Sequence, residues 1–140
     1  MEPTIFEKII AREIPADIVY EDENTIAFLD IAPNNPGHTL VVPKQHSRNI
    51  FDITETSWLA LMKTVRTLAP LIKQAVAAEG INIHMNNEAP AAQAVFHTHI
   101  HIIPRYTDDG FITFPPGSYK NEQQPQEIAE HIRKLLAEPT

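Results

Sequence analysis

The chain of 140 residues contains no cysteine. That excludes a disulfide framework, thiolate-ligated zinc or iron–sulfur, and a thiol nucleophile. Basic residues are scarce. Eleven Lys and Arg stand against 18 Asp and Glu, a formal charge of −7, which argues against general binding to nucleic-acid backbones. No apolar run approaches the ~20 residues of a membrane span. The opening Met-Glu-Pro-Thr lacks the basic and apolar regions of a signal peptide. The expectation is a cytoplasmic protein, with neither nucleic acid nor a membrane as partner. What is present, 43% hydrophobic and 21% charged residues, describes one soluble globular domain over 1–140. A chain of this size buries roughly two thirds of the surface its unfolded form exposes, so it needs no covalent staple.

Hydrophobic periodicity outlines the elements. A first helix is expected over 5–12, where Thr4 and Glu7 have capping-box spacing and Ile5, Phe6, Ile9 and Ile10 form an apolar stripe. Strands at 18–20 and 25–30 flank a polar turn and read as a hairpin. The segment 31–37, with Pro33, Asn34, Asn35, Pro36 and Gly37, cannot hold a ladder and reads as a shaped loop. A third strand follows at 38–43. A long helix is expected after Thr54 to about 78, with Trp58, Leu61, Met62, Val65, Leu68, Ile72 and Val76 on its buried face. Pro70 inside it predicts a kink or two shorter helices. Two more strands are expected at 81–86 and 95–104, then an irregular tail over 107–140 with a last helix near 125–137. The order implies an α+β fold: one mainly antiparallel sheet of about five strands, with the helices on one face.

Seven histidines stand out, three of them packed into five residues. In Val95-Phe-His-Thr-His-Ile-His-Ile-Ile-Pro104, strand alternation puts His97, His99 and His101 on one face, adjacent ones ~7 Å apart. Two chemistries use such a row. Three imidazoles plus water make a metal-dependent hydrolytic site. Alternatively, one imidazole attacks while the others set its tautomer and hold anionic oxygens. Glu88 is the only acid between Ile81 and Tyr106, whereas Asn86, Asn87 and Gln93 supply polar donors, which favours the nucleophile. Imidazole, with a pKa of about 6.5, is largely neutral at pH 7 and suited to attack on phosphorus. Such a ring needs an acceptor for its second nitrogen and preorganised donors for the phosphate oxygens.

At these residues the sequence resembles the histidine triad (HIT) family of nucleotide hydrolases and transferases. The pattern His-φ-His-φ-His-φ-φ, with φ apolar, stands as His97-Thr-His99-Ile-His101-Ile-Ile103, Thr98 departing from strict apolarity. Residues 5–15, Tyr20-Glu-Asp22, Ala27-Phe-Leu-Asp30, Pro36-Gly-His-Thr-Leu-Val-Val-Pro-Lys44 and His46 also resemble family segments in order, and the likeness extends over about 5–106. The resemblance implies a HIT-like fold and a homodimer acting on purine nucleotides: nucleoside phosphoramidates, adenylyl conjugates or dinucleoside polyphosphates. It makes His99 the nucleophile, His97 its orienting partner, His101 a phosphate contact, and His38 the completion of the histidine environment. Asn86, thirteen residues before His99, and Gln93 would contact phosphate. Asp30 would hold ribose hydroxyls, with Phe6, Ile9, Phe28 and Ile31 as walls for the base. The same residues have plainer uses: Phe6, Ile9 and Phe28 as core, Asp30 in an Asx-turn, Asn86 in a loop.

Three departures bear on the expectation. Some bacterial relatives carry Cys-x-x-Cys that binds structural zinc with downstream histidines. Here those positions are Thr4 and Glu7, so no metal or cofactor is expected. The family commonly has Gly-Gln-(Ser/Thr/Glu) before the triad, whereas this chain has Ala92-Gln93-Ala94. Ala94 removes a possible hydroxyl donor, worth about 1–3 kcal/mol when buried. Ala92 raises the question of whether the turn keeps its shape without glycine. A nucleotide-binding regulatory module with little turnover is the reading these alanines support.

Overall fold

The structure, a computed structural model, describes residues 2–111 and 114–139. These fall into two compact units, Met1–Asp109 and Gly110–Thr140. The first holds every element that builds the site. Of the tail expected to be irregular, residues 112 and 113 lie outside the described residues. Its terminal helix α3 runs Gln124–Ala137.

Helix α1 spans Ile5–Ile10. Its start is fixed by the capping box: Thr4 Oγ1 accepts from Glu7 N at 3.2 Å, and Glu7 Oε1 accepts from Thr4 N at 3.0 Å. It stops earlier than the periodicity predicts. Arg12 turns left-handed at φ 63°, and Glu13 N closes back on Lys8 O at 2.8 Å. Strands β1 (Ile18–Glu21) and β2 (Thr25–Leu29) make the expected hairpin. Asp22 Oδ1 organises its turn by accepting from Asn24 N and Thr25 N, each at 2.8 Å. Strand β3 covers Thr39–Pro43, helix α2 Glu55–Ala75, β4 Gly80–His84 and β5 Ile100–Arg105. The sheet is five-stranded and antiparallel in the order β1-β2-β3-β5-β4.

Strand alternation divides the core. Ala27, Val41, Ile100 and Ile102 face α2 and meet Leu61, Val65 and Leu68. Ile26, Phe28, Leu40 and Val42 face the other way and meet Phe6 and Ile9 of α1. Full burial of each large aliphatic side chain stabilises by about 1.5–3 kcal/mol. The two helices therefore cover opposite faces, not one as expected. The stripe on α1 is short, and Ile14, Ala16 and Val95 extend the apolar cover on the Ile26–Phe28 side of the sheet.

Pro70 does not divide α2, which is continuous from Glu55 to Ala75. Pro70 and Arg66, the residue whose carbonyl loses its helical donor, are both on the exposed side. Water can satisfy that carbonyl there.

Candidate active site

The triad segment is not one continuous strand. Ladder pairing begins at Ile100, and His97–His99 precede it. The preceding residues are claimed by the chain after β3: His97 Nε2–H donates to Pro43 O at 2.8 Å, and Thr98 N to Ser47 O at 2.8 Å. The alternation nevertheless persists. The Phe6 ring meets the edges of His97 and His99, with centroids 6.0 and 4.9 Å away, while Ile100 packs on the α2 side. His101, on β5, stands opposite Leu40 of β3 and His84 of β4.

His99 Nδ1 lies 2.7 Å from the carbonyl oxygen of His97. A carbonyl only accepts, so Nδ1 carries the proton and Nε2 keeps its lone pair. Burial pushes the His99 pKa down, against the opposing pull of that carbonyl, and keeps the ring neutral. The ring of His101 is 4.9 Å from that of His99. Burial, then the neighbouring His99 and His38, lower the His101 pKa to about 4. His101 Nδ1 meets His38 Nε2 at 2.9 Å, and Asp30 Oδ2 sits 3.7 Å from that same His38 nitrogen. The other Asp30 oxygen accepts from Ala32 N at 2.9 Å, so the residue makes its Asx-turn and still turns one oxygen toward the histidines.

The His97 ring has partners of its own. It is completely buried, with Nε2 on Pro43 O and Nδ1 accepting from Thr4 Oγ1 at 3.3 Å. Its ring therefore ties α1 to the end of β3, and it meets His99 through its main-chain carbonyl.

His99 and His101 open into a cavity of about 340 Å³, within the size range of small-molecule sites. Phe6, Ile9, Phe28 and Ile31 line it, as do Asp30 and Asn86. Phe6, Ile9 and Phe28 are buried core residues that also line the cavity. Ile31 is 93% exposed, at the mouth. Sequence reasoning missed Ile14, Pro15 and Leu40 as further apolar lining. The signal for the first two was the Ile14-Pro15 pair in the segment between α1 and β1.

Gln93 is not brought to the cavity. Its amide is spent tying the loop between β4 and β5 to the segment between β3 and α2: Oε1 accepts from Asn49 Nδ2 at 3.0 Å and Glu88 N at 2.8 Å. Nε2 donates to the carbonyls of Arg48 and Val95 at 2.7 and 3.1 Å. Arg48 in turn grips Glu88 with two hydrogen bonds and lies over the Phe96 ring, 4.2 Å from its centroid. These ties hold a strained loop, since Glu88 and Ala92 sit at φ 78° and 69°. Ala92 thus keeps the left-handed turn that glycine would take without cost, and it lines the cavity with Ala94.

The five-stranded sheet with a helix on each face and the histidine cavity define a class of fold and site that comparison with known proteins identifies. The HIT domain family pattern matches residues 11–108, and the chain belongs to that family. It is similar to a HIT family protein of Bacillus subtilis whose crystal structure superposes with TM-score 0.90 at 42% identity, covering 99% of this chain and all (100%) of that one. It is 38% identical over 103 residues to the purine nucleoside phosphoramidase of Escherichia coli K12, spanning 73% of this chain and 87% of the relative. A zinc-bound histidine triad family protein from Mycobacterium smegmatis matches with TM-score 0.73 at 32% identity, covering 96% of each chain.

The zinc in that relative prompts a test of this chain's own donors. Glu7, His46 and His97 bring one donor atom each within 4.8 Å of one another. They are already engaged: Glu7 in the capping box, His97 Nδ1 with the Thr4 hydroxyl, and His46 Nε2 donating to Phe96 O at 3.1 Å. The set offers one carboxylate and two imidazoles and no thiolate, and hydrogen bonds already occupy Glu7 Oε1, His97 Nδ1 and His46 Nε2. The set does not fit a thiolate zinc site. The second group, Asp30, His38 and His101, spends His38 Nε2 and His101 Nδ1 on each other. Among the described residues, no helix is long and apolar enough to cross a membrane.

Proposed function

We propose that this chain is a nucleotide hydrolase or transferase acting at the α-phosphate of purine nucleoside phosphoramidates, adenylyl conjugates or dinucleoside polyphosphates. The observation that carries the reading is the His99 imidazole, neutral and held by Nδ1 on the His97 carbonyl at 2.7 Å, with its ring lining a cavity that has apolar walls and one carboxylate. The phosphoramidase activity named for the E. coli relative supports it.

In this reading Phe6, Ile9, Phe28 and Ile31 sandwich the base, and Asp30 accepts from the ribose hydroxyls. The Nε2 lone pair of His99 forms a bond to the α-phosphorus. The bond from phosphorus to the leaving amine or phosphate breaks, and its electron pair departs with that group, an amine taking up a proton from water as it leaves. The ring becomes positively charged, and the His97 carbonyl stabilises that charge through Nδ1–H. His101 and Asn86 hold phosphate oxygens. Water then attacks phosphorus and gives up a proton to solvent, the N–P bond breaks, and its electron pair returns to Nε2 as the nucleoside monophosphate leaves. Gln93 serves this site by shaping its rim. A homodimer belongs to the reading on family resemblance alone.

His99→Ala tests the assignment. Turnover of an adenosine phosphoramidate is expected to vanish, with AMP affinity and thermal stability retained. Undiminished turnover would remove His99 from the mechanism. Tight nucleotide binding by the unmodified protein with no turnover of any of the three substrate classes would instead make it a regulatory binding module, the reading that Ala94, with no hydroxyl in the cavity, favours.

A further inference from the structure

The loop between β2 and β3 carries two prolines and two asparagines, and its main chain does something the histidines cannot do for themselves. Gly37 enters it at φ 97°, packed so closely that a Cβ there would meet Val76 Cγ1 at 2.8 Å. The side chain of Asn35 anchors the loop to the far end of β5, the strand that carries His101. Asn35 Nδ2 donates to Pro104 O at 2.9 Å and to Asp109 Oδ2 at 3.1 Å. Asp109 is itself fixed by Arg105, whose Nε and Nη2 donate at 2.7 and 2.9 Å, and by Tyr106 N at 3.1 Å. The Asn35 carbonyl accepts from His38 N at 3.0 Å.

So anchored, the loop presents the backbone N–H of Asn34 to His38 Nδ1 at 3.1 Å. A backbone N–H only donates, so His38 Nδ1 must be a lone pair and the ring proton must sit on Nε2. That proton points at His101 Nδ1, 2.9 Å away. His101 Nδ1 is therefore also a lone pair, and its proton sits on Nε2, the nitrogen left for the cavity. Asp30 Oδ2, 3.7 Å from His38 Nε2, is too distant to take the proton from this line. One peptide N–H thereby sets two imidazoles in series.

We propose that Asn35 is a positioning residue that, through the Asn34 N–H, fixes the tautomers of His38 and His101 so that His101 presents a donor where His99 presents a lone pair. The two rings lie 4.9 Å apart with opposite hydrogen-bonding character. A His101 free to carry its proton on Nδ1 would turn a lone pair toward phosphate oxygens and repel them. The kinetic part of this inference rests on the reading of His99 as nucleophile. The tautomer part stands on geometry alone.

Long-range proton–nitrogen correlation spectra of the ¹⁵N-labelled protein near neutral pH test it without any substitution. The expected result is the Nε2–H tautomer for His38 and His101 and the Nδ1–H tautomer for His99. In Asn35→Ala, His38 and His101 are expected to show mixed tautomers, with kcat on an adenosine phosphoramidate down about tenfold and KM nearly unchanged. An Nδ1–H tautomer at His38 or His101 in the unsubstituted protein would overturn the proposal, even if the variant failed to fold. So would an Asn35→Ala protein with both tautomers and kcat intact. Turnover that survives His99→Ala, alongside the expected tautomers, would defeat the nucleophile assignment and leave the tautomer lock standing.

Discussion

Asn49 Nδ2 donates to Gln93 Oε1 at 3.0 Å in a buried position, and that contact decides what Gln93 does. With Glu88 N on the same oxygen and the Arg48 and Val95 carbonyls on Nε2, no N–H of Gln93 is left for a phosphate. Gln93→Ala strips partners from buried groups and is expected to destabilise by about 2–4 kcal/mol. Urea denaturation measures this directly. A variant of unchanged stability whose KM for nucleotide rises sharply would instead mean that Gln93 meets the substrate.

Ala92 holds φ 69° and ψ 26°, a conformation that costs a non-glycine residue roughly 1–2 kcal/mol. Ala92→Gly relieves that strain but adds unfolded-state freedom worth about 0.5–1 kcal/mol. A net gain of up to about 1 kcal/mol is expected, with turnover unchanged because the loop already has the required shape. Thermal melting and a steady-state assay check both halves.

Acid is expected to destabilise the protein before its carboxylates titrate. His38, His97, His99 and His101 all have pKa values lowered by burial, His101 to about 4. In the unfolded chain they regain a value of about 6.5. Between those limits the unfolded state binds protons that the folded state refuses, so stability is complete above about pH 6.5 and falls as pH drops below it. Lowered carboxylates such as Asp52 and Glu79 lose their contribution only in stronger acid. The urea midpoint should therefore be lower at pH 5.5 than at pH 7.5. A midpoint constant across that interval would contradict the burial of neutral histidines.

Much of this was legible in the sequence because period is geometry. The strands at Thr25–Leu29 and Thr39–Pro43 are bounded by their turns, and the capping residues Thr4 and Thr54 mark where helices begin, but these strands are buried along nearly their whole length and carry no alternation to show that both faces are covered. Asp30, Asn86 and the walls Phe6, Ile9, Phe28 and Ile31 do meet around His99 and His101. What period could not supply was partner choice between distant segments. His97 reads as a strand residue until Pro43 O and Thr4 Oγ1 claim its ring. Gln93 reads as a free amide until Asn49, 44 residues away, takes its oxygen. The exposed placement of Pro70, which spares α2, likewise depends on which way the helix turns once packed.

The central claim, that His99 carries the nucleotide covalently, is tested most directly by mass. Metal-stripped protein carrying His101→Ala is incubated with an adenosine phosphoramidate, and intact-protein mass is followed alongside AMP release by the unsubstituted chain. The account predicts AMP release without added metal and a trapped protein heavier by one adenylyl group on His99. No adduct, and release restored only by added zinc, would contradict it and assign the chemistry to a metal site.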